Sequence, residues 1–124
     1  MCYDYYMQNN LKGKQGEKIA EGYLKSKGYE ILETNFRYSR IAEIDIIAKI
    51  GKTLVFVEVK TRTSEFFGSG AEAVDNRKLM NIYTAAQYYI NKKKMQNLKP
   101  RIDVISILLD KTSFSIKHIE NVEI

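Results

Sequence analysis

Apolar positions recur at helical spacing over residues 11–27, where Ile19, Ala20, Tyr23 and Leu24 mark one side and Gly28 follows as a stop. Glu17 precedes Ala20 and Leu24 by three and seven residues, which places a carboxylate on the side of this helix that faces the protein. Residues 29–36 read as a strand, and 41–49 and 53–61 as two stronger ones, rich in Ile, Val and Phe. Gly51-Lys52 between them fits a two-residue hairpin turn. After a loop containing Gly68 and Gly70, a second helix is expected over 75–91 with Asp75 as N-cap and Leu79, Ile82, Tyr83, Ala86, Tyr89 and Ile90 on its inner side. Pro100 closes the next connection, and strands over 102–109 and 114–119 complete the order helix, three strands, helix, two strands. This describes an α/β domain with a mixed sheet and helices packed on its faces.

Alternation along the hairpin strands sets the direction of the charged residues. Over 41–49 it groups Ala42, Ile44, Ile46 and Ala48 on one face and Glu43 and Asp45 with Ile41 and Ile47 on the other. Over 53–61, Glu58 and Lys60 share a face with Leu54 and Phe56. With Gly51 and Lys52 as the turn, Asp45 is expected opposite Glu58 and Glu43 opposite Lys60, with Cβ atoms about 5 Å apart. A four-residue loop keeps this register, whereas a three-residue loop would put the two acids on opposite faces.

Opposed carboxylates on strands this apolar are destabilising unless a cation lies between them. Mg²⁺ takes one or two carboxylates and keeps waters for chemistry, so Asp45, Glu58 and the backbone carbonyl of Val59 form a candidate ligand set. Lys60, on the face of Glu58, is placed to orient a water or to stabilise charge on a phosphoryl group, and Glu17 to complete the shell. Cross-strand ion pairs, Glu43 with Lys60 and Asp45 with a cation such as Arg62, account for the same spacing without chemistry, and spacing alone does not choose.

Composition narrows the partners. A chain of 124 residues, 44% of them hydrophobic, suits one domain, read as 11–124 preceded by an extension over 1–10. The single cysteine, Cys2, excludes an intrachain disulfide and points to a reducing compartment. The N-terminal residues show neither a cationic start nor an apolar stretch, and no apolar run has transmembrane length, so the expectation is a cytoplasmic protein without a membrane partner. A net charge of +5 favours an anionic partner such as nucleic acid. Arg37, Arg40, Arg62, Arg77 and Lys78 lie near element ends flanking the expected cleft and are candidate contacts to a phosphate backbone, with Lys78 also within reach of the metal site. Lys92-Lys93-Lys94 reads as a solvated helix end, His118 as a packing or edge residue, and Tyr83, Tyr88 and Tyr89 as core.

Five separated strings carry a resemblance. They are Gly16-Glu17-Lys18-Ile19-Ala20, the run from Tyr23 through Lys27-Gly28-Tyr29 to Leu32, Ala42-Glu43-Ile44-Asp45-Ile46-Ile47-Ala48, Leu54-Val55-Phe56-Val57-Glu58-Val59-Lys60-Thr61-Arg62, and Ala73-Val74-Asp75. In order and spacing they resemble the YraN-like family of uncharacterised bacterial proteins, over nearly the whole chain after about residue 11. That family is similar to the restriction-endonuclease-like superfamily and, within it, to Holliday-junction resolvases. The resemblance implies a mixed central sheet flanked by helices in the order α-β-β-β-α-β-β. It also implies an endonuclease dependent on Mg²⁺ or Mn²⁺ that hydrolyses phosphodiesters in DNA, with branched DNA as substrate and a homodimer by analogy.

The superfamily motif, an acid followed after a gap by D/E-x-K, maps onto Asp45, Glu58 and Lys60, with Glu17 as the extra helix-borne acid. Arg101-Ile102-Asp103-Val104 resembles the segment entering the later strand, with Asp103 as a structural acid. Ala42 stands where the family usually has Gly, a substitution that bears on the strand geometry around Glu43. A nucleic-acid-binding or partner-binding module of the same fold without turnover is the alternative, since a fold hosts binding as readily as catalysis.

Overall fold

The computed structural model describes residues 2–63 and 75–123, with side chains from residue 12 onward. Helix α1 (Cys2–Ser26) is followed by strands β1 (Glu30–Tyr38), β2 (Ala42–Ile50) and β3 (Thr53–Thr63), helix α2 (Asn76–Lys93), and strands β4 (Lys99–Leu109) and β5 (Phe114–Ile119). The element order is the expected one. The expected loop around Gly68 and Gly70 lies outside the described residues.

The sheet has the spatial order β1-β2-β3-β4-β5. Its first three strands form an antiparallel meander, β3 and β4 run parallel, and β5 returns antiparallel to β4. Between the parallel strands the chain passes through α2, as a parallel pair requires a long crossover. This is the α/β mixed-sheet arrangement expected of a restriction-endonuclease-like domain.

Two apolar layers cover the two faces. On one, Leu79, Ile82, Ala85, Ala86, Tyr89 and Ile90 of α2 pack on Ile44, Ile47, Leu54, Phe56 and Ile102. On the other, Ala20 and Leu24 of α1 pack on Ile46, Ala48, Val55, Val57, Ile105 and Ile107. With both faces covered, the central strands bury long runs of side chains, β3 from Leu54 through Glu58 without a break. Helix α2 starts at Asp75, whose carboxylate accepts the Lys78 N–H at 2.9 Å, and ends at Lys94 in the left-handed conformation.

Three expectations are corrected. Helix α1 begins at Cys2, so residues read as an extension continue the helix; their run of Tyr, Met, Gln and Asn offers no apolar stripe to announce it. Tyr83 is 48% exposed, as is Tyr88 to a lesser degree, and Ala85 is the buried residue instead. The small Ala85 side chain fits against the sheet, while Tyr83 borders a groove with Pro100 and Val122.

The third correction concerns β2. The predicted register holds from Ile50↔Thr53 to Ile46↔Val57 and stops there. Alternation also breaks: Ile44 packs under α2, yet Ile46, two residues on, packs under α1. Strand β1 changes sides at the same level, since Thr34 pairs with Ile46 and Phe36, which lies under α2, pairs with Ile44. Between those pairs sit Asn35, in the left-handed region at φ 53°, and Asp45. Asp45 therefore leaves the hairpin ladder instead of facing Glu58 across it.

Candidate functional site

Where β2 parts from β3, side chains from five elements meet. The Val59 N–H of β3, which would otherwise face empty ladder space, donates to Asp45 Oδ2 at 2.8 Å. In an extended strand the N–H and C=O of one residue lie on the same edge, so the Val59 carbonyl is on the Asp45 side as well. Glu58, 4% exposed, is directed to the α2 face. There its Oε2 takes Lys60 Nζ at 3.4 Å and also contacts Lys78 Nζ from the first turn of α2. The expected opposition of Glu43 and Lys60 is replaced: Lys60 is paired with Glu58, and Glu43 accepts from Arg37 at 2.9 Å.

Glu17 reaches the same region from α1. It is brought there by Gly16, packed so tightly on β3 that a Cβ at this position would collide with Thr61 Oγ1. Asn35, which hydrophobic periodicity does not single out, lies between two of the acids. With its amide nitrogen turned inward it donates to Glu17 Oε1 at 3.1 Å and to Glu43 Oε1 at 3.3 Å. Its one signal in the sequence is that of a turn-favouring residue inside a strand.

The electrostatics follow from burial and crowding. Burial, then the charge of Glu58, pushes the Asp45 carboxyl up to about 8 against the pull of the Val59 N–H. Burial and the charge of Glu43 raise Glu17, opposed by the Asn35 amide. Burial and the neighbouring Lys78 lower the Lys60 ammonium, whereas Lys78, although burial works against its charge, is raised by its hydrogen bond and attraction to Glu58. Carboxylates in mutual repulsion at the mouth of a cleft are the pattern expected where a cation or an acid-base step is needed.

The cleft has a volume of about 680 Å³ and is lined by Glu17, Glu43, Asp45, Glu58, Lys60 and Lys78, with Arg77 and Asn81 at its α2 side. Arg37 and Arg40 border a smaller hollow beside it at the β1–β2 turn, and Arg62 is on β3 beyond Lys60. Among the described residues no three His, Cys, Asp or Glu side chains converge as a metal group. Two carboxylates, one carbonyl and water still satisfy what Mg²⁺ takes.

Asp103 is not part of this cleft. It is fully buried on β4, held by Arg101 at 2.9 Å through both oxygens, by His118 Nε2 at 2.8 Å and by the Asn121 N–H at 3.0 Å. Tyr23 of α1 meets His118 Nδ1 at 3.0 Å, and Tyr29 accepts from Arg101 at 2.8 Å. His118, on the edge strand β5, thus belongs to this buried polar network and stands outside the cleft.

Comparison with known proteins decides the family. The sequence profile of the uncharacterised protein family UPF0102 matches residues 16–107. The chain belongs to the UPF0102 family. A UPF0102 protein of Clostridium acetobutylicum is 47% identical over 115 residues, covering 91% of this chain and 93% of the relative. Those of Caldanaerobacter subterraneus and Christiangramia forsetii are 44% and 40% identical, each covering about nine tenths of both chains. The resemblance to the YraN-like family is thereby borne out. The UPF0102 match spans every acid and lysine of the cleft named above, and no helix among the described residues is long and apolar enough to cross a membrane.

Proposed function

We propose that this protein is a metal-dependent endonuclease that hydrolyses phosphodiester bonds in DNA, with branched or otherwise structured DNA as its substrate. The observation that carries the reading is the meeting of Asp45 and Glu58 at the break between β2 and β3, with Lys60 on Glu58 and a cleft open before them. Asp45, Glu58 and the Val59 carbonyl would hold Mg²⁺ or Mn²⁺. When bound, such an ion supplies Lewis acidity toward a phosphoryl oxygen and a water acidified for attack.

The chain's own groups do the remainder. Glu58 is fixed through Oε2 by two ammonium groups and lies within side-chain hydrogen-bond reach of Asp45. Lys60 orients the attacking water or meets the negative charge that grows on the phosphoryl oxygens. Glu17, which lines the same cleft from α1, would hold a water proton or complete the coordination sphere through water. Arg77 at the cleft wall, Arg37 and Arg40 at the β1–β2 turn, and Arg62 on β3 are placed to follow the DNA backbone. A junction with two-fold symmetry would be met by two copies of the chain.

The test is Mg²⁺ and Mn²⁺ titration by calorimetry of wild type and Asp45→Asn, with cleavage of junction, flap and linear DNA alongside. Binding and cleavage lost together in Asp45→Asn establish the nuclease. Salt-dependent DNA binding that survives EDTA, without cleavage in either metal, would replace it with a non-catalytic binding module.

A further inference from the structure

We infer that Asn35 is a positioning residue of the carboxylate site, acting through its backbone on Asp45 and through its amide on Glu17; the inference rests on the nuclease reading and adds a residue to it. Three observations meet at this residue. Its φ of 53° is in the left-handed region inside a nine-residue strand, a conformation that Asn tolerates better than other residues with a Cβ. It stands level with Asp45, between the pairs Thr34↔Ile46 and Phe36↔Ile44, where both strands exchange the face they present. Its amide lies within hydrogen-bond distance of two carboxylates from different elements, Glu17 of α1 and Glu43 of β2.

The backbone role follows from strand geometry. Without a change of side at this level, β2 would continue its ladder with β3, and Asp45 would present its side chain perpendicular to the sheet. The left-handed residue on β1 lets both strands switch faces in step. Asp45 then falls at the switch, in the plane of the sheet edge, where its carboxylate takes the Val59 N–H. Irregularities of this kind re-aim a side chain beside active sites, and local strain there is held by the surrounding structure.

The amide role is chemical. Glu17 and Glu43 repel one another, and each presents Oε1 to the same NH₂ group. An amide nitrogen carries two protons, one for each carboxylate, so it holds both acids at fixed separation without adding charge that would compete with a cation. Arg37 holds the other oxygen of Glu43. Glu17 has the Asn35 amide as its hydrogen-bond donor and is therefore the acid whose position depends on it most.

The two roles separate by substitution. Asn35→Gly keeps the left-handed backbone and removes the amide. It should leave the melting temperature and Mg²⁺ affinity near wild type, measured by scanning calorimetry and titration calorimetry, and lower kcat for DNA cleavage about tenfold, the size of one charge-assisted hydrogen bond. KM should not change. Asn35→Ala strains the backbone as well and should weaken Mg²⁺ binding about tenfold or more while the protein remains folded at low temperature. In a Glu17→Gln background Asn35→Gly should add almost nothing, because both act on one group.

Wild-type cleavage with full activity in Asn35→Gly, unchanged Mg²⁺ affinity in folded Asn35→Ala, or additive effects with Glu17→Gln would each overturn the inference alone. A wild type that neither binds Mg²⁺ nor cuts DNA would overturn it together with the nuclease reading.

Discussion

Val59 hands its backbone N–H to the carboxylate of Asp45 across 2.8 Å, a side chain taking the place of the neighbouring strand. The bond anchors an acid that burial and Glu58 hold up to about 8. A carboxyl raised in the folded state contributes stability in full below its unfolded value near 3.8, and loses it as pH rises through about 8. In EDTA the unfolding free energy from urea titration should therefore fall between about pH 4 and pH 8, by at most about 1.4 kcal/mol per pH unit from this group. Asp45→Asn should flatten the slope, and excess Mg²⁺ should offset the loss most at the alkaline end. An equal slope in Asp45→Asn would assign the pH dependence elsewhere.

The two lysines on Glu58 should be strongly non-additive in stability. Either Lys60→Met or Lys78→Met leaves the buried carboxylate one cation, and each should cost about 1 kcal/mol. The double substitution strands a buried charge and should cost about 3–5 kcal/mol. Additive urea midpoints would mean that the lysines do not share the group. On cleavage the two should differ: under the proposed nuclease function, which assigns Lys60 to the attacking water, Lys60→Met should lower kcat by about 10²-fold or more.

Two glycines on one helix should respond with opposite signs. Gly22 of α1 is exposed, with open space where an added methyl would stand, so Gly22→Ala should gain about 1 kcal/mol from helix propensity. Gly16→Ala gains the same propensity but drives a methyl into Thr61, and should lose about 1–3 kcal/mol from overpacking. It should also weaken cleavage by lifting Glu17 from the cleft wall. Thr61→Ala in the Gly16→Ala background should return part of the stability. A Gly16→Ala protein as stable as Gly22→Ala would contradict the close approach.

Asp103 should behave as a structural acid with no effect on metal affinity. Burial works to raise it, but hydrogen bonds from His118, Arg101 and the Asn121 N–H outweigh burial and hold it below 3.8. Its contribution is present above that value and is lost as pH falls through its lower folded value. Asp103→Asn should cost about 3–5 kcal/mol at pH 7, with the gap to wild type narrowing below pH 3.8. Mg²⁺ titration of the folded variant should match wild type; a loss of binding would tie this network to the cleft.

How much of this was legible in the sequence depended on periodicity. The seven elements, the Gly51-Lys52 turn and the Asp75 cap each rest on local signals, a repeat of 2 or 3.6 or a turn residue, and each is found in the structure. Asp45 and Glu58 meet as alternation predicts, but by a different route. The register held as far as Ile46, and the acids come together because β2 leaves the ladder there, not because they oppose one another within it. Alternation assumes one conformation repeated, and a single left-handed residue on the adjacent strand defeats it. Lys78 on Glu58 and Asn35 on Glu17 are contacts across 20 and 18 residues of chain, which only the packing of α2 and α1 determines.

The crossover helix gives the chain an order of assembly. Glu17, Asp45, Glu58 and Lys60 all precede residue 64, so a chain emerging from synthesis holds four of the cleft's charged groups before α2 and β4 exist. At that stage β3 lacks its parallel neighbour, and Glu58 lacks the second ammonium and the cover that bury it. The cleft gains its α2 wall, with Arg77, Lys78 and Asn81, only when the chain beyond residue 75 has been added, so a chain cut before α2 carries those four charged groups without the site.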